Sequence, residues 1–199
     1  MSLTKTWIVG GVALALGGCA LTSKSEVMDV RYFTPERVAA VPGHATAPAG
    51  IELRLGRVTS GPHLRERIAY REAGHEIGYY EDRRWTERPD AYVRRALERR
   101  LFEESGFRRV LGGPAPALEV EVLAFDELRS PNGAVAAHVS LRMVVVQDRV
   151  VLREDTLAVD VPVARATSQG VDEVVAALSS ALDLAAAGVS ARVLEAVKR

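Results

Sequence analysis

The chain has 199 residues, 26 Lys+Arg against 26 Asp+Glu, a formal net charge of zero, and one Cys. Balanced charge excludes a nucleic-acid binder that works by bulk electrostatics, and a single Cys excludes disulfides within the chain and Cys-based metal sites. With 48% hydrophobic residues and no repeat at solenoid spacing, the composition is that of one ordinary globular domain with a real core.

Lys5 is the only charge in residues 1–18, residues 7–16 are apolar, and Leu16-Gly17-Gly18-Cys19 follows. A short basic start, a short apolar core and a small-residue cleavage site make a secretory signal. The apolar run is too short for a transmembrane helix, which needs about 20 residues. Ending on Cys makes it a lipoprotein signal, with Cys19 as the lipid-attachment residue. The other reading is an ordinary signal with an incidental Cys, but Cys19 is the chain's only Cys. The expected division is a signal peptide at 1–18, a lipidated tether at 19–28 and the domain at 29–199. Each buried CH₂ of an acyl chain adds about 0.8 kcal/mol, so several chains anchor stably. With its thiol acylated, Cys19 is not available for catalysis. Ala20 stands where Asp would favour inner-membrane retention in enteric bacteria, so the outer membrane is expected, with the domain facing the periplasm.

Residues 29–34 read as a first strand with Val30 and Tyr32 on one side. Pro35, Pro42 and Pro48 mark a loop to Gly50, with room for a turn of helix at 36–41. Residues 51–58 alternate as a strand, with Ile51, Leu53 and Leu55 on one face and Gly56 at a bulge. Residues 59–64 are a turn-rich crossing. Two runs with period-two alternation, 67–71 and 76–80, flank Ala73-Gly74, which predicts a β-hairpin. Thr86 is placed to cap a helix running to about residue 104, with Pro89 in its first turn and Gly106 beyond its end. Val93, Ala96, Leu97 and Leu101 share its apolar face. The opposite face carries Arg94, Arg95, Arg99 and Arg100. Pairs 94–98, 99–103 and 100–104 at i,i+4 favour a self-paired solvated face over an anionic-lipid patch.

Residues 107–111 predict a short strand. Residues 118–128, 134–147 and 149–161 alternate as three long strands, with turns at Pro131-Asn132-Gly133 and Gln147-Asp148. They should form an antiparallel meander. Residues 170–197 are one long helix with an Ala-rich middle suited to close packing on a sheet, and Gly188 is a place for a kink. The expected fold class is α/β: a single domain with a mixed, largely antiparallel sheet and two main helices packed mostly on one face.

The order of elements carries a resemblance. Pro62, Leu64, Ile68, Tyr70 and Arg71, then Tyr79 and Tyr80, then Arg84-Trp85 ahead of a helix, resemble the ABC-type transport auxiliary lipoproteins, the PqiC-like or YmbA-like family of Gram-negative bacteria. The resemblance covers residues 30–199. Arg65-Glu66 and Glu87-Arg88 depart from the family pattern. The family implies an outer-membrane-anchored, periplasm-facing accessory lipoprotein of an ABC/MCE-type intermembrane lipid transport system, acting as a docking or receiving component. It implies an MCE-domain protein of that system as partner, and leaves self-association open. The alternative is a stand-alone envelope lipoprotein with a structural or assembly role.

No catalytic set is legible. His44, His63, His75 and His138 fall in loops, at the hairpin tip and on a strand. His75-Glu76 resembles the start of a zinc-protease motif, but position 79 is Tyr, so the second ligand is missing. No Gly-x-Ser-x-Gly, P-loop or dinucleotide fingerprint is present. No cofactor, metal or enzymatic activity is therefore expected. Turn-rich loops on a rigid sheet are where binding residues sit, which makes Arg65, Arg67 and His75 the partner-docking candidates. Trp85 is expected to be buried between the hairpin and the first helix.

Overall fold

The structure is a computed structural model and describes residues 28–35, 50–72, 75–164 and 170–198. The signal peptide, Cys19, most of the tether, the turn of helix expected at 36–41, His44 and Ala73-Gly74 lie outside the described residues.

The elements in order are β1 (Arg31–Phe33), β2 (Glu52–Ser60), β3 (Arg67–Arg71), β4 (Ile77–Trp85), α1 (Pro89–Glu98) with a π-helical continuation Arg99–Glu104, β5 (Arg108–Arg109), β6 (Ala117–Arg129), β7 (Val135–Gln147), β8 (Val150–Pro162) and α2 (Val171–Val197). The strands form one eight-stranded mixed sheet. β6, β7 and β8 are the expected meander, antiparallel along nearly their whole length, and β3–β4 is the expected hairpin. β7 shows how the alternating pattern works: Ala137, Val139, Leu141, Met143 and Val145 all face in and are fully buried, while Arg142 on the opposite face meets Glu154 at 2.6 Å.

β6 organises the sheet. One edge pairs with β7. Along the other edge, β2 pairs with its first half and β3 with its second, both parallel. β2 and β3 are thus two halves of one interrupted strand. Ser60 sits opposite Val122 and Ala69 opposite Asp126, so the residues between them cannot all stay in the ladder and leave it as a loop.

α2 packs its apolar face on β7 and β8. It is long and apolar enough to cross a membrane, but Val174, Leu178, Ala181, Ala185, Val189 and Val193 are buried in the core. The helix runs on through Gly188 without interruption. A Cβ there would stand 2.7 Å from Leu157 Cδ2 of β8, so the missing side chain is what lets helix and sheet approach.

Several expectations need correction. β1 turns Phe33 inward and leaves Tyr32 66% exposed, because its pairing aligns Phe33 with the buried Trp85. β2 continues past residue 58 to Ser60, and the second hairpin run continues past residue 80, so that Arg83-Arg84-Trp85 belongs to β4. Thr86 does not cap α1. The N-cap is Arg88, without a side-chain hydrogen bond, and Thr86 Oγ1 instead pairs with the Tyr92 hydroxyl at 2.7 Å. Past Glu98 the helix widens into a π turn, with Ser105 N bonded to Arg100 O at 2.8 Å. That wider turn buries Leu101 and redirects Arg99 from Glu103 to Glu104 and to Asp183 of α2, at 2.7 Å from the latter. The meander turn is Asp148-Arg149, both at positive φ, the pattern of a type I′ hairpin turn.

Candidate functional site

The loop over residues 61–66 is the excursion between the two halves of the interrupted strand, and it is held from several sides. Gly61 N bonds Val122 O at 3.2 Å, Leu64 N closes a turn on Gly61 O at 3.0 Å, and Trp85 N bonds Glu66 O at 2.5 Å. Leu64 is buried as the loop's apolar anchor. The Tyr79 hydroxyl donates to His63 O at 3.1 Å. Arg88 donates to Ser60 Oγ at 3.2 Å and meets Asp90 at 3.3 Å, which ties the start of α1 to the loop. Gly61, Pro62, Leu64, Arg65, Glu66 and Arg88 line a small polar depression of about 170 Å³.

Arg65 and Arg67 are both exposed at this loop, and Arg65 Nε donates to Pro62 O at 3.1 Å. His75 is exposed too, but at the other end of β3, beyond at least about 13 Å of strand. The structure therefore brings two of the three docking candidates together and leaves His75 apart. The arginines of α1 are engaged: Arg94 with Gly56 O and Glu98, Arg95 with Glu87, Arg100 with Glu104.

The sequence reading missed two adjacent carboxylates. Asp126 and Glu127 are both fully buried, on opposite faces of β6. A register shift between Val122 and Ala124 reverses the alternation there and turns Phe125 inward. The signal was present: after Leu118, Val120 and Val122, the next inward residue comes three positions on rather than two. Asp126 receives Arg71 at 3.0 Å. Burial raises the Asp126 pKa, against the lowering effect of the Arg71 charge.

Glu127 accepts from the Tyr80 hydroxyl and from Arg129 Nε at 2.7 Å. Arg129 also reaches Glu72 at 2.9 Å and stacks 3.7 Å from the Tyr70 ring centroid. Tyr70 occupies the space a Cβ at Gly78 would need. Burial, and then the Glu127 hydrogen bond, raises the Tyr80 pKa. Burial opposes the Arg129 charge, but the bonds to Glu127 and Glu72 outweigh it and hold its pKa above normal. Arg71 and Arg129 thus clamp the β3–β4 hairpin to β6 from both faces.

His138 Nδ1 and Asp160 are 2.5 Å apart. Among the described residues no hydroxyl or thiol is hydrogen-bonded to His138, and no three His, Cys, Asp or Glu side chains gather as a metal site would require. The loop over residues 61–66 is thus braced between the two halves of the interrupted strand. Residues 33–190 match the model of the ABC-type transport auxiliary lipoprotein component family. The chain belongs to that family, the lipoprotein components of ABC-type transport systems. Its fold is similar to that of protein XCC0632 from Xanthomonas campestris, with TM-score 0.73, 18% identity, 84% of this chain and 97% of that one covered. It is also similar to a crystal structure of an uncharacterized protein, with TM-score 0.56, 15% identity, and 73% and 94% coverage. No curated protein matches the sequence.

Proposed function

We propose that this protein is a non-enzymatic docking or receiving component of an ABC/MCE-type system that moves lipid between the two membranes. It is held in the outer membrane by acyl chains on Cys19, with its domain in the periplasm. The observation that carries the docking role is the loop over residues 61–66, fixed at both ends by the sheet, with Arg65 exposed on it and Arg67 exposed at the start of β3 beside it. A loop ordered before binding loses little conformational entropy on contact.

The test is capture of the MCE-domain protein encoded beside it. Arg65→Glu with Arg67→Glu should weaken capture by about tenfold or more, the equivalent of ~1.4 kcal/mol, with an unchanged melting temperature. Absence of capture by the wild-type protein would transfer the assignment to a stand-alone envelope role. For the anchor, Cys19→Ser should abolish fatty-acid labelling and leave unprocessed precursor in the inner membrane. Labelling equal to wild type would remove Cys19 as the attachment residue.

A further inference from the structure

β8 is a long edge of the sheet. Among the described residues it pairs with β7 alone, so one side of its 13 residues stays open. The backbone groups of an antiparallel strand point alternately to its two sides. Val163 N bonds Val135 O at 2.9 Å, and the β7–β8 register continues that parity without a shift as far as Val145. The N–H and C=O groups of Val161, Val159 and Leu157 therefore face β7, and those of Asp160, Ala158 and Thr156 face outward.

An open edge is a template for pairing, and folded proteins defend theirs. Pro162 has no N–H to offer on the outward side. The outward N–H of Thr156 is taken by Asp155 Oδ1 at 2.9 Å. Between these two guards stand Ala158 and Asp160, both exposed, and among the described residues nothing pairs with their backbone groups. The window over residues 157–161 is thus undefended.

It also has an apolar wall. Leu157, Val159 and Val161 face α2 and are partly buried against the core. α2 runs antiparallel to β8 above them: Glu195 meets Arg153, Arg192 meets Asp155, and Gly188 comes against Leu157. Leu184 is one turn earlier on the same flank of the helix, about level with Val159, and stays 57% exposed. A strand laid beside β8 would set every second side chain between Leu184 and the row of Leu157, Val159 and Val161.

We propose that this window takes up a short extended segment of a partner polypeptide as an added strand, with apolar residues at alternate positions. The unpaired N–H and C=O groups select the occupant. Another extended backbone matches their spacing, whereas a helix has used its own groups internally and an acyl chain has none. A second copy of the chain fits less well. A twofold pairing centred on Val159 sets Thr156 opposite Pro162 and limits the seam to Ala158 and Asp160. That is a narrow seam where a stable interface needs about 800 Å² from each partner, while a short segment needs the window alone. The inference does not rest on the docking role of residues 61–66, which are held by β6, two strands away.

The experiment adds a capped peptide, Lys-Val-Thr-Val-Thr-Val-Lys, to the full-length protein in detergent micelles. A second peptide of the same sequence is N-methylated at consecutive residues, which blocks both of its edges. The first should bind and slow hydrogen exchange at the Ala158 and Asp160 amides, and the methylated one should do neither. Ala158→Pro removes only an outward N–H and should weaken binding by about tenfold or more, because its ring also blocks the approach. Leu184→Asp, at an exposed position, should weaken binding with an unchanged melting temperature, and decides the matter if Ala158→Pro proves unstable. No binding, equal binding of the methylated peptide, or binding indifferent to both substitutions overturns the proposal. Slow exchange at Ala158 and Asp160 before any peptide is added also overturns it. Slow exchange that fades on dilution assigns the edge to a second copy, and slow exchange that persists assigns it to another part of this chain.

Discussion

Trp85→Ala is expected to destabilise the domain by about 3–5 kcal/mol, the usual cost of emptying a large aromatic site in a core. Trp85 is 1% exposed. Its ring makes edge contacts with Tyr92 of α1 at 6.0 Å and Phe125 of β6 at 5.5 Å between centroids, geometries that add to simple burial. Its backbone N–H bonds Glu66 O, so the residue joins hairpin, helix, central strand and the loop over residues 61–66. Denaturant unfolding of the variant measures the loss. Near-normal stability accompanied by lost partner capture would make Trp85 a contact residue instead.

Arg71→Ala should have the next largest effect, about 3 kcal/mol at neutral pH. That is the low end of the cost of stranding a buried charge, since the Arg71 side chain is 27% exposed while Asp126 has no exposure. The loss should depend on pH. The folded-state pKa of Asp126 is already raised by burial, so the stability this group contributes is complete below the ordinary carboxylate range and is lost as pH rises through the raised value. Removing Arg71 raises that value further. The deficit should therefore be greatest at neutral pH and shrink on acidification, as Asp126 takes up a proton. Asp126→Asn should remove this part of the pH dependence. A deficit equal at pH 5 and pH 7 would mean that Arg71 acts by packing alone.

The parts of the fold that obey a simple period were legible from the sequence. The meander followed from alternation over long strands, the hairpin from two short runs around a Gly-containing tip, and α2 from its apolar face. The grouping of Arg65 with Arg67 was legible because both lie within three residues. What escaped was non-local or irregular. The division of β6 between β2 and β3 depends on which strands pair, and no local pattern encodes that. The burial of Asp126 and Glu127 depends on one irregular step in β6 that reverses the facing of every residue after it. The redirected Arg99 depends on a widened helical turn, and the role of Thr86 on a hydroxyl of Tyr92 that competes for it.

The interrupted strand also bears on how such a domain can change over time. Residues 61–66 leave and rejoin the same β6 edge, so the flanking registers are each set by β6 and not by the length of the loop. Lengthening a closed loop costs little, about 0.6 kcal/mol per doubling. Insertions here would be absorbed locally, without a shift in the strands on either side. Such an arrangement separates a segment whose length can change from the framework that must persist, so variation in the one leaves the folding of the other intact.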